Sequence, residues 1–449
     1  MWTLDLLISL LVILSFLQIG LLIDYYLITR RLLSFNLAVY FGLGLGFVAI
    51  LQMIFGILAI PTTRYLVILA TIITLVPIFV DRRLKKQLGD LTAKSLKKIK
   101  PQHVLGILTL LIFFVTVGMI TFSHPVWGYD ATQHWLAKAR AFWIDGGITR
   151  ANLFIYPPPD NPNLWSLNAA WIFHLLGKSS DFWVQIIPFT VLVLLVGEFF
   201  RIVAVSKQLI WAWVLLLMFT PFLWQTVSSK AYSGNADLLV SFYLFLATGA
   251  LVNRRLVWGA IFFGLSALVK NDALPALIGF CLLLPIFSLQ KKEKFPKVAL
   301  ILAIGLLLFN LGWKFYFGLG NRYLQNDWSQ VLRQRPILEY TWYSIQSFRE
   351  QFRFLFHWGI GFWVIFFFLI TRFRRILRNK WLTLSLILIA AQFVGYIWVY
   401  YVTGEDQASQ IATSIYRLVL QVYPALLLLA FTVSKYESSR EFPTQFGYG

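Results

Sequence analysis

Apolar residues come in long runs from one end of the chain to the other, each close to the roughly 20 residues that cross a bilayer as helix. The runs fall at 4–23, 36–60, 63–80, 103–122, 183–200, 209–227, 238–252, 256–269, 273–289, 298–317, 355–371, 381–402 and 416–433. This pattern predicts an all-α polytopic membrane protein with about thirteen transmembrane helices. The stretch 256–289 is the least regular: Lys270, Asn271 and Asp272 interrupt it, and it reads either as one broken helix or as two short spans.

Composition agrees with the pattern. Hydrophobic residues make up 59% of the 449 and charged residues 13%, with a mean hydropathy of +0.72. A soluble chain carries about 25% charged residues, so soluble enzymes, secreted modules and nucleic-acid binders are excluded. The one cysteine, Cys281, offers neither an intramolecular disulfide nor a cysteine metal site. Leu6 to Leu22 has no basic leader or small-residue cleavage site, and reads as a first span rather than a signal peptide.

The net charge of +20 is mainly a topology signal. Alternate short loops hold 25 of the 39 Lys and Arg residues, among them Arg30 and Arg31, the cluster from Arg82 to Lys100, Arg254 and Arg255, and Arg372 to Lys380. The positive-inside rule makes those loops cytoplasmic, which puts the N-terminus outside and the tail 434–449 in the cytoplasm of a plasma (inner) membrane protein. Counting 256–289 as two spans keeps the alternation unbroken. The basic stretch 81–100 then reads as a solvated loop near anionic headgroups rather than a nucleic-acid site. Two long loops, 123–182 and 318–354, become external, as do eleven of the nineteen acids.

The first external loop carries the most chemistry. His124-Pro125-Val126-Trp127-Gly128-Tyr129-Asp130 leads into a predicted helix ending near Trp143. Trp135, Leu136, Ala139, Phe142 and Trp143 share one face, and Asp130, Gln133, His134 and Lys138 another. Such a helix is expected to lie flat in the membrane interface, with Asp130 just above the bilayer as a reactive carboxylate or as a plain N-cap. The i,i+4 pair Asp130 and His134 is compatible with a shared divalent metal, although a structural or solvent-facing histidine is the commoner use. In Tyr156-Pro157-Pro158-Pro159-Asp160-Asn161-Pro162, four prolines in six positions forbid helix and set a stiff bend. That bend either returns Asp160 toward Asp130 or is a plain linker. Gly42-Leu43-Gly44-Leu45-Gly46 lies inside a span and reads as close helix packing rather than a nucleotide loop.

At these residues the chain resembles the GT-C superfamily of membrane glycosyltransferases, which includes the protein O-mannosyltransferases and the bacterial aminoarabinose transferase. The resemblance rests on Trp127-Gly128-Tyr129-Asp130-Ala131-Thr132-Gln133-His134-Trp135 with Lys138-Ala139-Arg140, then Tyr156-Pro157-Pro158. It continues with Gly234-Asn235-Ala236-Asp237-Leu238, the break Gly264-Leu265-Ser266-Ala267-Leu268-Val269-Lys270-Asn271-Asp272, and Tyr416-Arg417-Leu418 with Tyr423-Pro424. It covers about 103–433, leaving 1–102 as three additional spans with a basic cytoplasmic loop. Ala131 stands where many members carry a second acid.

The resemblance implies a GT-C-like module and an external transfer of sugar from a polyprenyl-phosphate donor to a hydroxyl of a lipid, glycan or protein. Asp130 is then the general base, with Asp160 the second catalytic candidate. Lys270 and Arg417 are the candidates for the donor phosphate, and His134, Tyr156, Asp237 and Asp272 for substrate. The rival readings are a secondary transporter or lipid flippase, and a non-catalytic subunit with a degenerate fold.

Overall fold

The computed structural model describes residues 2–29, 36–97, 104–155, 159–204, 210–289, 295–320, 336–402 and 406–435. Tyr156 lies outside them, as do 321–335 of the second long loop, the tail beyond Lys435, and the loop residues Arg30, Arg31, Lys98, Lys100, Lys207, Lys291, Lys292, Lys294, Asp327 and Glu405.

Every regular element among the described residues is helical. Each of the thirteen apolar runs lands on helix. Eight form helices long and apolar enough to cross a membrane, and two bent pairs, Arg64–Pro77 with Arg82–Asp90 and Trp211–Met218 with Pro221–Ser228, raise that to ten. The remaining three runs are the shorter helices Asp237–Val252, Leu256–Val269 and Gly361–Thr371. The chain is a multi-pass membrane protein with eight to ten candidate spans among its described residues. At 1.5 Å per residue, the 16-residue helix Asp237–Val252 is only about 24 Å long. All of its residues are buried, so it runs through the middle of the bundle rather than facing lipid.

Side-chain pairs give the directions of the helices. Gly20 meets the backbone of Tyr40 and Gly44 that of Phe16, so the first two helices form an antiparallel hairpin at backbone contact. On the same helix Gly42 faces Phe242 and Tyr243, and Gly46 faces Leu265. The glycine-rich run is therefore a three-way packing seam, where side chains would hold the helices apart.

The interrupted stretch resolves into a hairpin. Leu256–Val269 ends where Lys270 turns extended, with φ −147° and ψ 146°, and Leu274–Leu289 starts after one 3-10 turn. The rings of Phe263 and Phe280, on either side of the break, lie 5.4 Å apart, so the chain doubles back. The next helix runs parallel to the first arm at a constant offset: Asn310 Nδ2 donates to Ala267 O at 2.7 Å, and Lys314 Nζ to Asn271 Oδ1 at 2.5 Å. The break exposes backbone groups that apolar surroundings cannot hydrate. Asn310 takes one carbonyl. Gln392 takes another by donating to Asp272 O, and its Oε1 accepts from Ala276 N at 3.2 Å.

The helix ends sort onto two sides of the bundle. On one side Lys178 meets Asp5 at 2.6 Å, Tyr316 reaches Ile57 O at 2.9 Å, and His124 reaches Ser228 O at 3.0 Å. On the other, Asn36 meets Glu198 at 3.2 Å and Tyr26 meets Asp81 at 2.8 Å.

The first long loop departs from the expected interfacial helix. Trp135, Leu136, Ala139 and Phe142 are buried inside the protein, and Lys138 on the supposed polar face is also buried, at 1% exposure. The loop folds back on itself: Leu136–Ile144 packs along Leu164–Leu176, all of whose residues are buried. Its aromatic face is covered by protein, which removes the reason for it to lie on lipid.

Candidate functional site

Five charged residues from four distant parts of the chain form an alternating row. Asp130 starts it, at the head of the loop helix. Of the two alternatives for Asp130, the N-cap is not realised, because its side chain makes no cap hydrogen bond. The carboxylate Oδ2 instead accepts from Arg417 Nη1, across 287 residues of sequence. Arg417 Nε lies 3.9 Å from Asp237 Oδ2. Asp237 Oδ1 accepts from Lys270 Nζ at 2.9 Å and from Gln421 Nε2 at 2.7 Å. Lys270 Nζ also pairs with Asp272 Oδ2 at 2.8 Å.

Each position has a local cause. Asp130 precedes a π turn, Ala131–Trp135, which rotates the following side chains relative to a regular helix. Gly234, at φ +80°, packs against Val126 and Ala131 where a Cβ would collide, and Trp165 Nε1 donates to its carbonyl at 2.8 Å. That turn sets Asp237 in the first turn of its helix, where the helix dipole favours a carboxylate. Lys270 and Asp272 come from the break in the following hairpin. Arg417 and Gln421 are successive turns of Gln407–Ser434, and Tyr396 Oη donates to Gln421 Oε1 at 2.8 Å to fix the amide.

Side-chain exposure falls from 34% at Asp130 to 18% at Arg417 and 3% at Asp237. A charge at such depth costs several kcal/mol unless it is paired, which accounts for the strict alternation. The row lines a cavity of about 220 Å³ whose wall also includes His134, Asn161, Tyr400, Thr413, Ser414 and Leu418. Three carboxylates face two cations there.

His134 Nε2 lies 3.9 Å from Asp130 Oδ1, and the Tyr129 ring stands edge-on to the imidazole at 5.9 Å. Among the described residues no group of three or more His, Asp, Glu or Cys is placed to hold a metal ion. Asp130 and His134 alone make a two-donor set whose carboxylate is already engaged by a guanidinium. The residues do not fit a bound divalent metal.

Asp160 does not join the row. Asn161 reaches the cavity, but Asp160 is 1% exposed and held from behind. Asn271 Nδ2 donates to its Oδ2 and to its backbone carbonyl, each at 3.2 Å, and Lys314 braces Asn271. Six of the eight candidate residues thus converge: Asp130, His134, Asp237, Lys270, Asp272 and Arg417. Asp160 sits one layer behind, and Tyr156 is outside the described residues. Gln421 and Gln392 escaped the sequence reading. Their signal was an amide inside an apolar run.

No family model, curated protein or solved structure matches the chain.

Proposed function

We propose that the chain is a GT-C-type glycosyltransferase that moves a sugar from a polyprenyl-phosphate donor to an acceptor hydroxyl at the extracytoplasmic face of the plasma (inner) membrane. In this reading all thirteen apolar segments cross or enter the bilayer in alternation, with the N-terminus outside and the C-terminus in the cytoplasm. The observation that carries it is the Asp130–Arg417 pair at the mouth of a charged cavity walled by two long apolar helices.

The chemistry needs a base, a cation for the leaving phosphate and a groove for lipid. Donor phosphate would take the guanidinium of Arg417, whose planar fork suits phosphate oxygens. That exchange frees the Asp130 carboxylate. The acceptor oxygen then bonds to the anomeric carbon as Asp130 takes its proton. The bond from that carbon to the phosphate oxygen breaks, and its electron pair leaves with the polyprenyl phosphate. Lys270, held between Asp237 and Asp272, keeps positive charge behind the phosphate, and the preorganised row needs little rearrangement. The polyprenyl chain would follow Val399 and Leu418, on helices Lys380–Val402 and Gln407–Ser434. No step passes through a metal.

The test is incubation of the purified protein in nanodiscs with radiolabelled polyprenyl-phosphate sugars and a membrane-lipid extract as acceptor source. Label is expected to leave the polyprenyl carrier for a new product. Flux of intact donor across proteoliposomes without any new product would replace the enzyme by a transporter.

A further inference from the structure

The loop helix borders two cavities. One is the charged cavity of the row. The other, of about 560 Å³, adjoins the same helix and is lined by Trp127, Thr132, Gln133, Arg140 and Asp181 among others. Asp130 and His134 line the first cavity, Thr132 and Gln133 the second. The strip Trp127-Gly128-Tyr129-Asp130 joins the two.

We infer that the second cavity is a saccharide-binding subsite, which holds the body of a glycan acceptor while its terminal hydroxyl reaches Asp130. The inference rests on the transferase reading and narrows its acceptor to a glycan of at least two or three residues. Two exposed aromatic rings and a set of planar polar groups support it. Trp127 and Tyr129 are 62% and 73% exposed, whereas Trp135, Phe142, Trp165, Trp171 and Phe173 of the same loop are buried. Lys230 covers one face of Trp127, with Nζ 5.3 Å from the ring centre, which leaves a second face for the C–H surface of a sugar. An indole offers a large rigid apolar plate at small entropic cost.

Beside these rings the cavity carries planar polar groups: the Gln133 amide, and the Arg140 guanidinium paired with Asp181. Planar amide, guanidinium and carboxylate groups match pairs of neighbouring hydroxyls, because each presents two donor or acceptor sites at fixed spacing. The charge of Arg140 is met by Asp181, and the one cation beside Trp127, Lys230, lies over the ring. From Trp127 to Asp130 the chain advances three residues, roughly 10 Å at most, the length of a disaccharide. Gly128 sits against the carbonyl of Ala231, where a Cβ would not fit, so the strip is held close to the protein surface.

The experiment is saturation-transfer NMR on the full chain in nanodiscs, with cellotriose, chitotriose, maltotriose and mannotriose as probes. At least one trisaccharide is expected to bind wild type. Trp127→Ala and Gln133→Ala should each weaken it tenfold or more, and Trp342→Ala, an exposed aromatic on another helix, should not. Gln133 is exposed, so its variant reports on the cavity even if the tryptophan variant is unstable. The inference is overturned if no trisaccharide binds, if both variants bind as wild type does, or if inorganic phosphate displaces the bound sugar. The two readings fail separately. Trisaccharide binding without any sugar transfer would keep the subsite and remove the enzyme. Transfer whose acceptor KM ignores both substitutions would keep the enzyme and remove the subsite.

Discussion

Lys270 shows at the level of one residue how the row is held together. Its ammonium serves two carboxylates at 2.9 and 2.8 Å, and one of them, Asp237, is almost wholly buried. Removing one partner of a buried ion pair costs about 3–5 kcal/mol, because the other charge is left uncompensated. Lys270→Met should therefore lower the thermal unfolding midpoint sharply in detergent, and Lys270→Met with Asp237→Asn should recover part of the loss. Equal midpoints for wild type and Lys270→Met would remove the pairing account. The sequence made Lys270 and Arg417 visible as ionisable residues bordering apolar runs. It could not show that Arg417 reaches Asp130, since a pair 287 residues apart leaves no local spacing to read. Asp160 was illegible for the same reason: its partner, Asn271, is 111 residues away in sequence.

At the level of the element, the break at Lys270 is stable only because polar side chains from other helices complete it. Gln392 does the most, as acceptor from Ala276 N and donor to Asp272 O. An unmet buried backbone group costs about 1–3 kcal/mol. Gln392→Leu should destabilise the protein by roughly that much for each orphaned group, and should loosen Asp272 from Lys270. Hydrogen exchange at Ala276 should rise by tenfold or more. Unchanged protection at Ala276 would show that the break is held by other means. The existence of the break was legible in Lys270-Asn271-Asp272, and its doubling back was one of two open readings. What sequence could not give was the helix that repairs it. The loop helix failed differently: its Trp/Phe face was read correctly as apolar, but another helix of the same loop, not lipid, covers it.

Across the described residues, each apolar run landed on helix, because a chain that must satisfy its backbone inside a bilayer has little choice but helix. The polar helices Arg82–Lys97 and Ile337–Arg353 were not legible that way. Run length was less informative. Of the three short helices, Asp237–Val252 is wholly buried in the bundle, which only packing reveals. Orientation is the part of the reading that charge alone supports, and it is directly measurable. In a Cys281→Ser background, Lys178→Cys should react with a membrane-impermeant maleimide added to intact cells. Arg374→Cys, at the other end of the bundle, should react only after the membrane is opened. The reverse pattern would turn the protein over and place the cavity in the cytoplasm.

The account rests on Asp130 as a base released when Arg417 takes the donor phosphate. The direct measurement is single-turnover sugar transfer by Asp130→Asn beside wild type, with donor binding measured on the same samples. The prediction is a fall in rate of about 10²–10⁴, the usual worth of a positioned base, with donor affinity equal to or tighter than wild type because Arg417 no longer serves a carboxylate. Transfer at the wild-type rate by a folded Asp130→Asn protein would contradict it.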